Sequence, residues 1–353
     1  MTYEVTIEPL GETIEVEEEQ TILDAALRAG IWLPHACCHG LCATCKVQVV
    51  DGEVEQGDAS PFALMDFERD EGKCLACCAT PMSDLVIEAD IDEDPDAEVH
   101  PVDDYRGEVI AIESVTPTVK RVVIELDRAL SFQAGQYINL QLPKIDKSRA
   151  FSLANAPSDG QRVELQIRHV PGGEATTYVH ERLAVGDKVD LTGPYGRFFV
   201  RRSDAGGALF LAGGTGVSSP KSMIADLLES GDERQITLIH GVRNLSELYD
   251  NRHFAALAER HANFRYLPVL SEPEGNDVWS GEQGFVHEAA KRLYDNDFRG
   301  LKAYLCGPPA MIDACITTLM QGRLFERDIH MEKFLSAADA AQDSQRSPLF
   351  KSI

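Results

Sequence analysis

Four cysteines lie within eleven residues near the N-terminus, in the segment HACCHGLCATC at positions 35–45. Three more follow in KCLACCATP at positions 73–81. The 353-residue chain holds nine cysteines and opens on an acidic, alternating segment rather than a signal peptide, so we expect thiols or metal ligands and a cytoplasmic protein. Thiols this closely spaced require a tight loop around whatever they bind, which limits how the N-terminal part can fold.

The spacing of these cysteines predicts an iron–sulfur site. The first part reads C-x4-C-x2-C, and the fourth cysteine follows after 31 residues, as in plant-type [2Fe–2S] sites. The loop also contains small residues, Gly40, Ala43 and Thr44, which let backbone amides approach the bridging sulfides. The predicted ligands are Cys37, Cys42, Cys45 and Cys77.

Some ligand choices remain open from the sequence. Cys77 is preferred over its neighbours because it stands four residues before Pro81, as the ferredoxin ligand does. Cys38 directly follows Cys37, so either could be the first ligand. A zinc ribbon built on two C-x2-C pairs, at 42–45 and 74–77, would leave Cys37 unused. A Rieske site would need a second C-x2-H after His39, and none follows.

Charge is concentrated in the N-terminal part of the chain. The net charge is −25, and residues 1–100 hold 24 acidic against 4 basic residues. This sign is opposite to that of a nucleic-acid-binding protein. An ordinary acidic surface or a module that docks on a basic partner would explain it. No apolar run reaches about 18 residues, so no membrane span is predicted.

The patterns of strands and helices divide the chain into three domains. Alternating segments and one short helix indicate a small β-rich domain, short strands and turns indicate an antiparallel barrel, and alternating strands and helices indicate a doubly wound parallel sheet. The predicted ranges are 1–91 for the cysteine-containing domain, 92–104 for an acidic linker, 105–202 for the barrel, 203–336 for the parallel sheet and 337–353 for a tail.

The barrel contains RAFS at 149–152, which resembles the flavin motif of the ferredoxin–NADP reductase superfamily. The resemblance implies that Arg149 pairs with a pyrophosphate, Phe151 lies against the isoalloxazine, and Ser152 bonds near the reactive flavin nitrogen. Gly173 and Thr176, in PGGEATT, match the second phosphate position of that superfamily.

The last domain carries a glycine-rich turn, AGGTGVSSP at 212–220, between a strand and a helix. Such turns admit a pyrophosphate to a helix N-terminus, and the predicted nucleotide-binding residues are Gly213, Gly214, Thr215 and Gly216. CGPPAM and MEKF resemble later motifs of the same superfamily. They imply that Cys306 lies beside the nicotinamide and that Glu332 and Phe334 reach back over the flavin. Glu247 would repel a 2′-phosphate, which favours NADH, although Arg243 could bind one.

The order of these motifs resembles the ferredoxin–FAD–NAD oxygenase reductase family. The resemblance implies a multidomain α+β chain: a β-grasp ferredoxin domain, an antiparallel β-barrel FAD domain and a doubly wound α/β NAD domain. It also implies electron transfer from NADH through FAD and the [2Fe–2S] cluster to a separate diiron hydroxylase, with the phenol-hydroxylating systems most similar. FAD suits the middle position, since it accepts a hydride and releases single electrons.

Three other functions are compatible with parts of the sequence. The same architecture serves toluene, methane and alkene monooxygenases and ring-hydroxylating dioxygenases. The flavin subunit of a sodium-pumping quinone reductase shares the modules but carries a membrane anchor. A zinc-ribbon binding protein without redox activity would leave RAFS, GGTG and CGPP unexplained.

Overall fold

The computed structural model describes residues 1–36, 38, 40–91, 94–275 and 278–334. The predicted ligand Cys37 and the predicted tail at 337–353 lie outside these residues. The chain divides into two compact units, the first built around residues 1–104 and the second containing both the barrel and the parallel sheet. No helix in the described part of the chain is long and apolar enough to cross a membrane.

The first unit is a five-stranded mixed sheet in the order β2-β1-β7-β3-β5, with a two-stranded ladder of β4 and β6 beside it. The first two strands form an antiparallel hairpin, and Thr21 caps helix α1 by accepting from the Asp24 N–H. Val102 is buried against this unit, and its N–H donates to the carbonyl of Leu27. The elements are β1 Thr2–Glu8, β2 Glu12–Glu17, α1 Ile22–Arg28, β3 Lys46–Asp51, β4 Val54–Glu55, α2 Asp66–Asp70, β5 Lys73–Leu75, β6 Thr80–Pro81 and β7 Leu85–Glu88.

The barrel of the second unit is a six-stranded sheet in the order β11-β10-β13-β8-β9-β12. An antiparallel bridge between Leu153 and Leu165 joins the two ends of this order and closes the sheet. Aliphatic side chains of alternate positions fill its interior, as the period-two pattern predicts. The elements are β8 Asp103–Ser114, β9 Val119–Leu126, β10 Tyr137–Gln141, β11 Arg149–Ser152, β12 Arg162–Arg168, α3 Glu174–Glu181 and β13 Lys188–Tyr195.

The last sheet is parallel, in the order β17-β16-β15-β14-β18-β19, with an apolar core on each face. Its strand order reverses between β14 and β18, so their carboxyl ends flank the crevice where sheets of this class bind ligands. The elements are β14 Gly207–Gly213, α4 Ser218–Glu229, β15 Ile236–Val242, α5 Asn251–Arg260, β16 Phe264–Leu270, β17 Glu282–Gln283, α6 Val286–Leu293, β18 Leu301–Gly307, α7 Pro309–Gln321 and β19 Ile329–Lys333.

Candidate functional site

The cysteine loop of the first unit is shaped by residues with left-handed backbone. Cys38, Gly40 and Ala43 all have positive φ, of 55°, 71° and 63°. Loops of this kind turn successive backbone N–H groups towards one point and form anion-binding concavities, including many iron–sulfur sites. A Cβ on Gly40 would lie 2.8 Å from Cys78 Sγ and 3.0 Å from Asp58 O, so glycine alone fits here.

Two predicted ligands face each other across this loop. The side chains of Cys45 and Cys77 are hydrogen-bonded, and this contact, followed by burial, raises the pKa of the Cys77 thiol. Cys42 is partly exposed, and Cys37 lies outside the described residues. Each iron of a [2Fe–2S] cluster takes two protein ligands, so a facing pair of thiols fits the group. In the part of the chain described, no three His, Cys, Asp or Glu side chains converge as for a mononuclear metal.

Cys74 lies in a different environment. It is fully buried in β5, opposite Val47 of β3, and burial raises the pKa of its thiol to about 12. A zinc ribbon needs Cys42, Cys45, Cys74 and Cys77 to converge on one metal ion, and no three of these described side chains do so. The zinc-ribbon alternative, which needs Cys74, therefore has little support from the structure.

The RAFS segment forms β11, which pairs with β10 so that Ser152 lies opposite Tyr137. Phe151 packs partly buried against the barrel core. Arg149 is exposed, and its Nη1 donates to the carbonyls of Lys147 and Ser148 at 3.1 and 2.9 Å. The strand thus presents a cation, an aromatic ring and a hydroxyl, which fit the groups of a bound FAD.

The second phosphate element lies at the beginning of α3. Gly173 is the N-cap residue, and Thr176 Oγ1 lies 3.2 Å from its carbonyl oxygen and accepts from the Val170 N–H at 3.1 Å. A Cβ on Gly173 would lie 2.9 Å from that hydroxyl. The two predicted residues are thus brought together where backbone N–H groups at a helix N-terminus favour an anion.

The glycine-rich loop joins β14 to α4. Gly213 ends β14, and a 3-10 turn at Gly214–Val217 leads directly into the helix. A Cβ on Gly216 would lie 2.3 Å from the carbonyl oxygen of Cys306, and one on Gly213 would lie 2.5 Å from Met311 Sδ. The glycines therefore allow this loop to pack against the end of β18 and the beginning of α7.

A cleft of about 250 Å³ opens beside this loop. Its lining includes Gly214, Thr215, Tyr249, Arg243 and Glu247. Glu247 Oε2 accepts from Thr118 Oγ1 at 2.7 Å, and its Oε1 lies 3.4 Å from Arg243 Nη2. The position at the strand-order reversal and the glycine-lined wall fit a dinucleotide.

Cys306 and Glu332 lie opposite each other in the parallel pair of β18 and β19. Cys306 is fully buried, and its Sγ lies 3.7 Å from Glu332 Oε2. The same oxygen accepts from Ser152 Oγ at 3.3 Å and from Ser219 Oγ at 3.0 Å. The flavin motif, the nicotinamide motif and the late MEKF motif thus meet at one carboxylate oxygen. Phe334 follows on, and its N–H donates to Gly307 O.

Burial of the Glu332 carboxyl group raises its pKa to about 7, against the lowering effect of hydrogen bonds from Ser219, Ser152 and Cys306. Burial, with a further contribution from Glu332, also raises the pKa of the Cys306 thiol. The thiol is therefore neutral at physiological pH. Glu332 is poised to exchange a proton near pH 7.

Three family models match successive parts of this chain. A 2Fe-2S iron-sulfur cluster binding domain matches residues 5–82, an oxidoreductase FAD-binding domain matches 106–200, and an oxidoreductase NAD-binding domain matches 210–316. The chain is 64% identical, over the full length of both proteins, to the reductase component of phenol 2-monooxygenase from Pseudomonas sp. strain CF600. The chain belongs to the ferredoxin–FAD–NAD oxygenase reductase family.

Two further relatives agree with this assignment. A phenol hydroxylase protein of Acinetobacter pittii is 62% identical over the full length of both chains. The solved structure of the Amycolatopsis cytochrome P450 reductase GcoB is 37% identical and superposes with a TM-score of 0.87, covering 94% of this chain and 99% of that one. The predicted fold class and the predicted cofactors, FAD, NADH and a [2Fe–2S] cluster, are confirmed. The reductase is an oxidoreductase that transfers electrons from NADH.

Sequence reasoning missed Ser219 as part of the site. It is fully buried, and it is the third hydroxyl or thiol that contacts Glu332 Oε2. Serines at the beginning of a helix usually indicate capping, so the sequence SSP gave no signal for this role. The contact depends on the packing of α4 against β19, which spacing along the chain does not reveal.

Proposed function

We propose that this reductase delivers single electrons to the separate diiron hydroxylase component of a phenol-hydroxylating monooxygenase. The supporting observation is the 64% identity to a phenol 2-monooxygenase reductase component across the full length of both chains. When bound, FAD supplies the conversion between a two-electron hydride donor and the one-electron cluster. The side chains of this protein would then bind and orient the FAD, the NADH and the cluster and exclude water from them.

We assign the cluster to the cysteine loop of the first unit, with Cys37, Cys42, Cys45 and Cys77 as ligands. The left-handed loop and the facing thiols of Cys45 and Cys77 support this assignment. Cys38 stays an alternative first ligand. The cysteines would be exposed to oxidation outside a reducing compartment, which supports a cytoplasmic location.

We assign FAD to the surface of the barrel at β11 and the beginning of α3. Arg149 and the helix N-terminus at Gly173 and Thr176 would hold its pyrophosphate, while Phe151 and Phe334 would flank its ring system. Ser152 would donate to the flavin or to Glu332, its partner at 3.3 Å. Glu332 has a pKa of about 7: in its ionised form Oε2 would accept from Ser152 Oγ, and in its protonated form it would donate a proton to the same hydroxyl.

We assign NADH to the cleft beside the glycine-rich loop, with Gly213, Gly214, Thr215 and Gly216 around its pyrophosphate. Cys306 would then lie against the nicotinamide as an uncharged surface. Glu247 supports NADH over NADPH, because this carboxylate is largely buried in the cleft wall and would face a 2′-phosphate. Replacement of Glu247 by Gln should lower the ratio of kcat/KM for NADH to kcat/KM for NADPH. An unchanged ratio would mean that other residues determine the preference for NADH.

The docking surface that we propose surrounds the cluster loop. Ser60 N–H donates to Gly40 O, and the residues that follow expose large apolar side chains: Phe62 is 92% exposed and Phe67 is 56% exposed. Exposed carboxylates, Asp58 and Asp66 among them, border these side chains. An apolar centre with an acidic rim fits a hydroxylase surface with an apolar depression and a basic rim.

Reconstitution with purified hydroxylase components tests the partner. With the phenol-hydroxylating component, product formation should be coupled to NADH oxidation; coupling with a toluene, alkene or ring-hydroxylating oxygenase instead would reject the assignment. Hydroxylase turnover should fall as salt rises, while NADH–ferricyanide activity should not. If both activities respond equally, docking by charge is wrong.

Phe62→Ala should weaken hydroxylase turnover and leave ferricyanide reduction unchanged. Phe325→Ala, which removes a ring that is 63% exposed in the NAD domain, serves as the control. Equal turnover in both variants would place the docking surface elsewhere.

A further inference from the structure

The side-chain amide of Gln166, on β12 of the barrel, is buried and surrounded by polar groups. Gln166 is 6% exposed. Its Oε1 lies 3.0 Å from Ser218 Oγ and 3.1 Å from the Tyr249 hydroxyl. Its Nε2 donates to Asp250 Oδ2 at 2.8 Å and to Glu164 Oε1 at 3.3 Å. The two carboxylates can only accept, so they fix which way the amide points, and all its hydrogen-bonding capacity is used.

Two of these partners belong to the segments that line the nucleotide cleft. Ser218 directly follows the glycine-rich loop, and its hydroxyl also lies 2.9 Å from Thr215 O. The Tyr249 hydroxyl lies 3.5 Å from Gly214 O. A single barrel side chain therefore contacts Ser218, which follows the 213–217 loop, and both Tyr249 and Asp250 of the 247–250 loop.

Asp250 is the charged centre of the same cluster. Its side chain is 6% exposed, and its carboxylate pairs with Arg121 of β9 and, at 3.0 Å, with Lys221 of α4. Lys221 Nζ also contacts Glu164 Oε1 at 2.7 Å. Burial acts to raise the pKa of Asp250, but Lys221 and Arg121 outweigh it and hold this pKa below its usual value. Asp250 also has a left-handed backbone, with φ of 55°.

Stability alone does not account for such a cluster. Buried ion pairs replaced by apolar side chains of similar size often leave a protein equally or more stable. What a saturated polar cluster supplies is a defined geometry, since each hydrogen bond fixes both a distance and a direction. Here the geometry that it defines is that of the cleft walls relative to the flavin barrel.

We propose that Gln166 and Asp250 form a positioning pair that fixes the two cleft loops against the flavin barrel and thereby sets the nicotinamide-to-flavin distance for hydride transfer. Neither residue lines the cleft, so the pair acts through Tyr249 and Ser218. Hydride transfer responds steeply to distance, and a displacement of about 1 Å can cost about 100-fold in rate. This inference rests on the cleft being the NADH site, as proposed above.

The test exchanges the donor and the acceptor of the pair. Gln166→Glu turns the donating amide into a third carboxylate beside Asp250 and Glu164, and should slow flavin reduction by NADH about 10- to 100-fold. The double variant Gln166→Glu/Asp250→Asn restores one amide and one carboxylate and keeps the net charge. It should recover about 10-fold of that loss. Gln166→Met removes the hydrogen bonds without adding charge, so it tests the same idea if Gln166→Glu does not fold.

The measurements separate positioning from general damage. They are the single-turnover rate of flavin reduction, the Kd for NADH, the long-wavelength absorbance of the flavin–nicotinamide complex, the FAD content and the unfolding temperature. Dithionite reduction of the flavin should be unchanged in every variant, because it does not use the cleft. Arg162→Met, at an exposed position of the same strand, is the matched control and should behave as wild type.

Three outcomes would overturn the proposal: a Gln166→Met rate within about 3-fold of wild type, a double variant as slow as Gln166→Glu, or a rate loss that only follows lost FAD. A separate variant tests the cleft itself. Gly214→Asn keeps a left-handed backbone accessible and adds a side chain in open space beside the loop, so it should weaken NADH binding. If it does not, the cleft assignment fails independently of the positioning pair.

Discussion

Replacement of Gly216 by alanine would place a methyl group against the end of β18. The added Cβ would lie 2.3 Å from Cys306 O, 2.6 Å from Cys306 C and 2.8 Å from Gly307 Cα. All three atoms belong to the backbone, so no side chain can rotate away. Because ordinary contacts lie at about 3.5 Å, the loop and the strand end must separate by about 1 Å.

We expect a larger effect on chemistry than on folding. Overpacking of this kind costs about 1–3 kcal/mol of stability. The separation, however, displaces the glycine-rich loop from Cys306, and a displacement of about 1 Å between reacting groups can cost about 100-fold in rate. Gly216→Ala should therefore bind FAD but reduce it about 100-fold more slowly with NADH.

Stopped-flow flavin reduction at saturating NADH measures this effect directly. Gly231→Ala is the control: Gly231 has a φ of 73° with nothing near its added Cβ, so that variant should lose stability but keep its rate. A Gly216→Ala protein that reduces its flavin within about 3-fold of wild type would refute the packing argument. A similar rate loss in Gly231→Ala would show that reduced stability, rather than displacement of the loop, slows flavin reduction.

Three other changes have defined outcomes. Burial raises the pKa of the Glu332 carboxyl group to about 7 in the folded protein. The folded protein therefore loses stability as the pH rises from the pKa of this group in the unfolded chain through 7. Because glutamine does not titrate, the free energy of unfolding of Glu332→Gln minus that of wild type should rise by about 2 kcal/mol between about pH 5.5 and 8.5. Denaturation at each pH measures this difference, and a difference that does not change with pH would contradict the argument. Cys77→Ser should lose the cluster absorbance and the iron but keep NADH-dependent bleaching of the flavin, whereas Cys74→Ser should keep its cluster. The reverse result would make Cys74, and not Cys77, the fourth cluster ligand. Ser219→Ala removes one donor to Glu332 and should move the pH midpoint of flavin reduction upward, and an unmoved midpoint would leave Ser219 with a packing role alone.

The parts of the site that depend on local chain geometry could be predicted from the sequence. The cysteine spacing predicted the loop because a cluster constrains neighbouring residues directly. The glycines at 213–216 were predicted because a close approach of backbone to backbone requires them, and Gly216 meets Cys306 O as such a glycine should. RAFS and CGPP were placed by resemblance to other reductases rather than by physical necessity.

The parts that depend on packing between distant segments could not be predicted. Ser152 and Glu332 are 180 residues apart, and Gln166 and Tyr249 are 83 apart. Nothing in the sequence marks a glutamine on a strand as the centre of a polar cluster, since such residues usually face water. Their roles become visible once the barrel and the parallel sheet are seen to share one boundary.

Glu332 reaches the flavin barrel from β19, which stands at the edge of its sheet and pairs with β18. Edge strands open more often than central ones, because fewer hydrogen bonds and contacts must break. Each opening would withdraw the carboxylate from Ser152 and admit solvent to the flavin. Amide hydrogen exchange along Ile329–Lys333 would report this opening, and its frequency would limit how long a reduced flavin stays protected from dissolved oxygen while no hydroxylase is bound.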